Sequence, residues 1–284
     1  MKIETAFQSK EEMEIRRDLS TTNEWPSQFR FVNVYNGYRR GFAHVFIGNT
    51  HAGKSTLVRS LLLDAAMRDD ARILLYLSEE SVNDFKTEMA FIGQEADFLK
   101  RVSIYSEQDD EPGQHLVDVM KALVYQVEPN LVFLDNLTTC FQYNNGGPSA
   151  QGAIAQGLKR LFSAEGIPWV TFLHTAKGAN DPRRLVTTDD VRGAQSLVNE
   201  AQFCAGVNKI EDIDGAITSV LRILKHRGQT VIDKNYRLNY SSRARVYTDD
   251  SVVNKERLKE WLTAGQKVAG ATKQGRTSAP SASK

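Results

Sequence analysis

Residues 48–56 read Gly48, Asn49, Thr50, His51, Ala52, Gly53, Lys54, Ser55 and Thr56, which fits the spacing of a glycine, four residues, a glycine, a lysine and a serine or threonine. That spacing captures polyphosphate. Glycines let the backbone wrap an anion closely, successive N–H groups and a helix N-terminus supply partial positive charge, and Lys54 adds a full one. The Ser55 hydroxyl is then placed to ligate magnesium at the phosphates. An apolar run, HVFIG, precedes the loop and an apolar periodic segment, STLVRSLLLDAAMR, follows it, giving the strand-to-helix setting such a loop needs.

Other groups with chemical capacity end apolar runs further along. Asp135 closes LVFLD, where a carboxylate at a sheet's C-terminal edge can hold a magnesium-bound water opposite Ser55, although an aspartate there can also simply cap a turn. Glu79 and Glu80 close the run after the loop's helix. One of them, Glu79 by preference with Glu80 in reserve, can polarise an attacking water, whereas a solvated pair opening the next helix is the plainer reading. His174 ends VTFLH, where its imidazole or the neighbouring Thr175 can contact the terminal phosphate and report its loss, although an isolated histidine is more often structural.

These residues need a parallel sheet to bring them to one edge. Short apolar runs at 44–48, 73–81, 101–106, 131–137 and 169–175 alternate with periodic segments at 55–68, 114–127 and 150–165. This is the rhythm of βαβ units with helices on both sheet faces. Segments 217–227 and 231–247 read as a terminal meander, and 252–262 as a last amphipathic segment. The expected division is an N-terminal arm (1–29) with a short helix at 8–20 carrying Met13, Ile15 and Leu19, one α/β domain (30–250), a C-terminal helix (251–264) and a disordered basic tail (265–284).

Composition adds bounds. Lys and Arg number 36 against 35 Asp and Glu, a net charge of +1, so any polyanion surface is a local patch. Cys140 and Cys204 are too few for a disulfide framework or metal cluster and read as small apolar residues in a reducing setting. The charged first 20 residues carry no signal-like apolar stretch, which leads to the expectation of a cytoplasmic protein, in the host cytoplasm if the source is viral, without a membrane partner.

Taken together, GKSTLVR, LSEES, LVFLDNL, FLHTAKG, TTDDVRGAQSLVNEA and LRILKHRG resemble the ring helicases of the DnaB-like class. The likeness is to the helicase domain of phage primase-helicases and Twinkle in particular, and several blocks also look like the small hexameric plasmid helicases. The resemblance implies a RecA-like ATPase core using ATP and Mg²⁺, a hexameric ring translocating on single-stranded DNA during replication, and a primase or polymerase as a further replisome partner. It implies Glu79 as the water-activating carboxylate, Asp135 as the magnesium-site acid and His174 as the phosphate sensor. It also implies Lys225 and Arg227 as fingers reaching the neighbouring subunit's nucleotide, and Tyr240 against the adenine.

The segment between His174 and Gly193, with Lys177, Arg183 and Arg184, is long for a connection in a compact fold. In the family such segments follow single-stranded DNA. A primase region and the N-terminal domain of bacterial members have no counterpart in the sequence given, so priming is not expected of it. The alternatives are a RecA-like ATPase that coats single-stranded DNA as a filament or recombination mediator, and a ring ATPase acting on proteins.

Overall fold

A computed structural model describes residues 25, 27–34, 37–91, 100–109, 115–143, 148–175, 184–191, 195–211, 217–227 and 234–263. The stripe at 8–20, Lys177, Arg183 and the tail at 265–284 lie outside them.

Chain order is α1 (Arg30–Asn33), β1 (Ala43–Gly48), α2 (Lys54–Ala66), β2 (Ile73–Leu77), α3 (Val82–Phe91), β3 (Val102–Ser106), α4 (Leu116–Val127), β4 (Leu131–Asp135), α5 (Leu137–Tyr143), α6 (Pro148–Ala164), β5 (Trp169–His174), α7 (Gln195–Glu200), β6 (Phe203–Glu211), β7 (Ile217–His226), β8 (Asn235–Ser241) and β9 (Val246–Val253). A final helical segment, α8, follows at 255–263. One sheet in the order β3-β2-β4-β5-β1-β6-β7-β8-β9 joins the strands. The pairs from β3 to β6 are parallel and those from β6 to β9 antiparallel.

The apolar strands are covered on both faces, and their alternation decides which residue meets which layer. Ile73, Leu75 and Leu77 join the cluster that holds Leu57, Val58, Leu61 and Leu62 of α2. Leu74 and Tyr76, one residue out of phase, join Leu116, Met120 and Val124 of α4 and Leu158 and Phe162 of α6. A smaller cluster sets Leu258 and Trp261 of α8 against Ile210, Val220 and Val253. Trp25 is also buried, edge-on to Tyr38 at 6.3 Å and beneath the Arg68 guanidinium at 4.7 Å.

Three features depart from the pattern read in the sequence. The apolar runs at 73–81 and 131–137 stop as strands at Leu77 and Asp135, and Leu137 opens α5. Strand β6 is not marked in the sequence, because Gly206, Asn208 and Lys209 break its apolar run, yet it pairs with β1 and opens the meander. Val252 and Val253, expected in the last amphipathic segment, instead complete β9 by pairing with Tyr236 and Asn235. No described helix is long and apolar enough to cross a membrane.

Candidate functional site

Parallel register delivers the chemical groups to one edge. Gly48 pairs with His174 and Leu77 with Asp135, so the loop after β1, the bend after β2, and the ends of β4 and β5 lie side by side. This is the C-terminal edge of the parallel strands, at the point where the chain passes from β1 across β5 and β4 to β2, and open sheets bind ligands there.

The loop closes through left-handed backbone at His51 (φ 66°) and Gly53 (φ 91°), and α2 begins at Lys54. A Cβ on Gly53 would lie 2.4 Å from the Tyr247 hydroxyl oxygen. Lys54 is buried and donates to the carbonyls of Gly48 at 3.0 Å and Asn49 at 2.8 Å, folding over the loop as over an anion. Burial lowers its pKa to about 8 against the opposing pull of Asp135 and Glu79. Ser55 is exposed at the first turn, and the Thr175 hydroxyl donates to Asn49 Oδ1 at 2.5 Å.

The adjacent glutamates diverge. Glu80 pairs with Arg59 of α2 at 3.1 Å, and burial is the main cause that raises its pKa. Glu79 Oε1 accepts from the Thr139 hydroxyl at 2.5 Å and lies 3.3 Å from His174 Nε2. The histidine contact, with help from Thr139 and Asn136, holds Glu79 down at about 2. Asn136 Nδ2 lies 3.0 Å from His174 Nε2, and the Thr138 hydroxyl accepts the His174 backbone N–H at 2.9 Å. Ser78 ties β2 to β4 by donating to the Asn136 carbonyl at 2.9 Å and accepting its N–H at 3.0 Å.

Asp135 sits among these groups with its pKa pushed up to about 7, first by burial and then by Glu80 and Glu79. Such an acid beside two others invites a cation. Among the described residues no group of three or more His, Cys, Asp or Glu is arranged to hold a metal unaided. A magnesium ion at this loop type needs fewer protein ligands: a serine hydroxyl and one carboxylate beside phosphate oxygens and water. Ser55 and Asp135 fit that demand.

A cleft of about 580 Å³ adjoins the loop, lined by Thr56, Lys209, Arg237, Asn239, Tyr240 and Tyr247 among others. Tyr240 is 55% exposed and edge-on to Tyr247 at 5.9 Å, so its ring remains open to a flat ligand.

The remaining expected residues lie elsewhere. Phe203 pairs with both His44 at the start of β1 and His226 at the end of β7. Lys225 and Arg227 therefore sit at the opposite sheet edge, roughly 13 Å along β1 from Gly48 at a strand rise of about 3.3 Å per residue. There Lys225 donates to the carbonyls of Val198 and Asn199 at 2.8 and 2.6 Å, and Arg227 to that of Asn199 at 2.7 Å, closing the C-terminus of α7. Arg184 pairs with Asp190. Asn136, Thr138, Thr139, Arg59, Lys209 and Tyr247 were not singled out from sequence; of these only Asn136 and the threonines carried a signal, following Asp135 directly at a sheet edge.

A family model described as an AAA domain matches residues 12–180. No curated protein matches the chain. Among solved structures, the KaiC-like protein of the hyperthermophilic archaeon Pyrococcus horikoshii OT3 is similar, with a TM-score of 0.59 at 14% identity over 77% of this chain and 92% of that one. At that identity the likeness shows the fold, a RecA-like P-loop core.

Proposed function

Because this chain belongs to the AAA domain family and is an ATPase with a RecA-like core, we propose that it is a DNA helicase, a hexameric ring that moves along single-stranded DNA by hydrolysing ATP between subunits. One observation carries the reading. Thr175, next to the end of β5, pairs with Val191, and its hydroxyl bonds Asn49 of the phosphate loop; in sequence Lys177, Arg183 and Arg184 lie between those two paired residues. In this reading the cations of that stretch bind a nucleic-acid backbone, Arg184 exchanging Asp190 for phosphate, and the link from Thr175 to the loop couples nucleotide state to grip.

In this reading the loop's N–H groups and Lys54 bind the triphosphate, Ser55 and Asp135 hold magnesium, and Tyr240 covers the base. Magnesium supplies charge neutralisation at the phosphates. Glu79 polarises the water, His174 and Asn136 flank the departing phosphate, and Arg227 with Lys225 enter from the next subunit. The same protomer cannot use those two cations at its own site, because they stand at the far edge of its sheet. Reaching a neighbour requires that they leave the α7 carbonyls, an exchange of hydrogen bonds with a stronger, charged acceptor.

Single-stranded DNA should stimulate steady-state ATPase at least several-fold in a ring-sized oligomer, and that sample should unwind a forked duplex. Stimulation without unwinding would favour a DNA-coating filament, and no stimulation would remove DNA as the track.

A further inference from the structure

Glu79 lies in the bend between β2 and α3, where no ladder fixes it, and its side chain is 51% exposed. A long carboxylate so placed samples many rotamers unless another group orders it. Its contacts with Thr139 and His174 both fall on Oε1. The His174 contact is the longer of the two, at 3.3 Å. Asn136 Oδ1 accepts the Thr139 N–H at 2.9 Å, which turns the Asn136 NH₂ towards His174 Nε2 at 3.0 Å, so that this ring nitrogen is shared between Asn136 and Glu79. Asn136 also acts on Glu79, but with an NH₂ shared with His174, and the shorter contact is the one from Thr139, at 2.5 Å.

Thr139 is itself well fixed. It sits in the first turn of α5, and its backbone is tied to Asn136, which follows the magnesium-site acid directly. Its hydroxyl has one proton and two acceptors in range, Glu79 Oε1 at 2.5 Å and Asn136 Oδ1 at 3.1 Å, and the shorter contact takes it. With Oε1 engaged, Oε2 is the oxygen left to accept from water.

We infer that Thr139 is a positioning residue for hydrolysis, whose hydroxyl orients the Glu79 carboxylate towards the attacking water. This rests on the reading of Glu79 as the water-polarising group. Removing the hydroxyl releases the side chain without touching the phosphate loop, so the loss should fall on turnover alone.

The test measures kcat and KM for ATP in full-length Thr139→Val, Thr139→Ser, Glu79→Gln and the Thr139→Val/Glu79→Gln double variant. Thr139→Val should lose about tenfold in kcat with KM nearly unchanged, Thr139→Ser should recover most of it, and the double variant should be no slower than Glu79→Gln. If Thr139→Val does not fold, Thr139→Ala takes its place. Full turnover in Thr139→Val, failure of serine to rescue, or a further tenfold loss in the double variant would overturn the inference. Full turnover in Glu79→Gln would instead overturn the reading beneath it.

Discussion

Adjacent carboxylates at positions 79 and 80 divide into separate tasks through their neighbours. Arg59 occupies Glu80, whereas Glu79 meets Thr139 and His174. Glu79→Gln should therefore lower kcat by about 10²-fold or more with nucleotide binding retained. Glu80→Gln should keep most turnover and lower the melting temperature, since Arg59 is left half-buried without its charge partner. Steady-state kinetics and thermal melts on the two variants separate the roles. The sequence offered both acids because they end an apolar run, and preferred Glu79; it could not show the Arg59 contact, which depends on how α2 lies over β2. For the same reason Tyr247, distant in sequence from Gly53, carried no signal.

Elements here succeed or fail by close approach. Gly53 turns the chain with φ at 91°, and Tyr247, anchored to Ser60 and Ser219, blocks the space a side chain would need. Gly53→Ala should abolish nucleotide binding in a fluorescent-analogue titration, through backbone strain and the clash together. Strand β1 adds a pH effect. His44 is fully buried, with Nδ1 3.3 Å from the Trp169 carbonyl, and burial lowers its pKa to about 4. A folded pKa below the unfolded 6.5 means that stability is present above pH 6.5 and drains away as pH falls towards 4, by about 3 kcal/mol. Thermal melts between pH 7 and 4 should fall less steeply for His44→Gln than for the parent. Apolar runs in HVFIG, ILLYL and LVFLD made the central strands legible. Strand β6, with its glycine and polar residues, is defined by its neighbours β1 and β7 instead.

At the scale of the whole molecule, the sheet separates groups that the proposed shared active site brings together. Gly48 and Lys54 lie at one edge, Lys225 and Arg227 at the other. Parallel topology was readable from alternation, and the identity of the far-edge cations from resemblance. Their distance from the loop followed only once β6 and β7 were in place. A net charge of +1 points to no broad polyanion surface, so the proposed DNA contact falls to a local segment.

The central claim, an active site completed by a neighbour, is tested most directly by mixing two inactive variants. Lys54→Ala lacks the phosphate lysine and keeps Arg227, while Arg227→Ala has the reverse defect. Each alone should be nearly without ATPase in the presence of single-stranded DNA, whereas an equal mixture, after subunit exchange, should regain roughly a quarter of the parent rate, as random pairing in a ring provides. No recovery in mixed oligomers verified by light scattering, or full activity of Arg227→Ala alone, would contradict it.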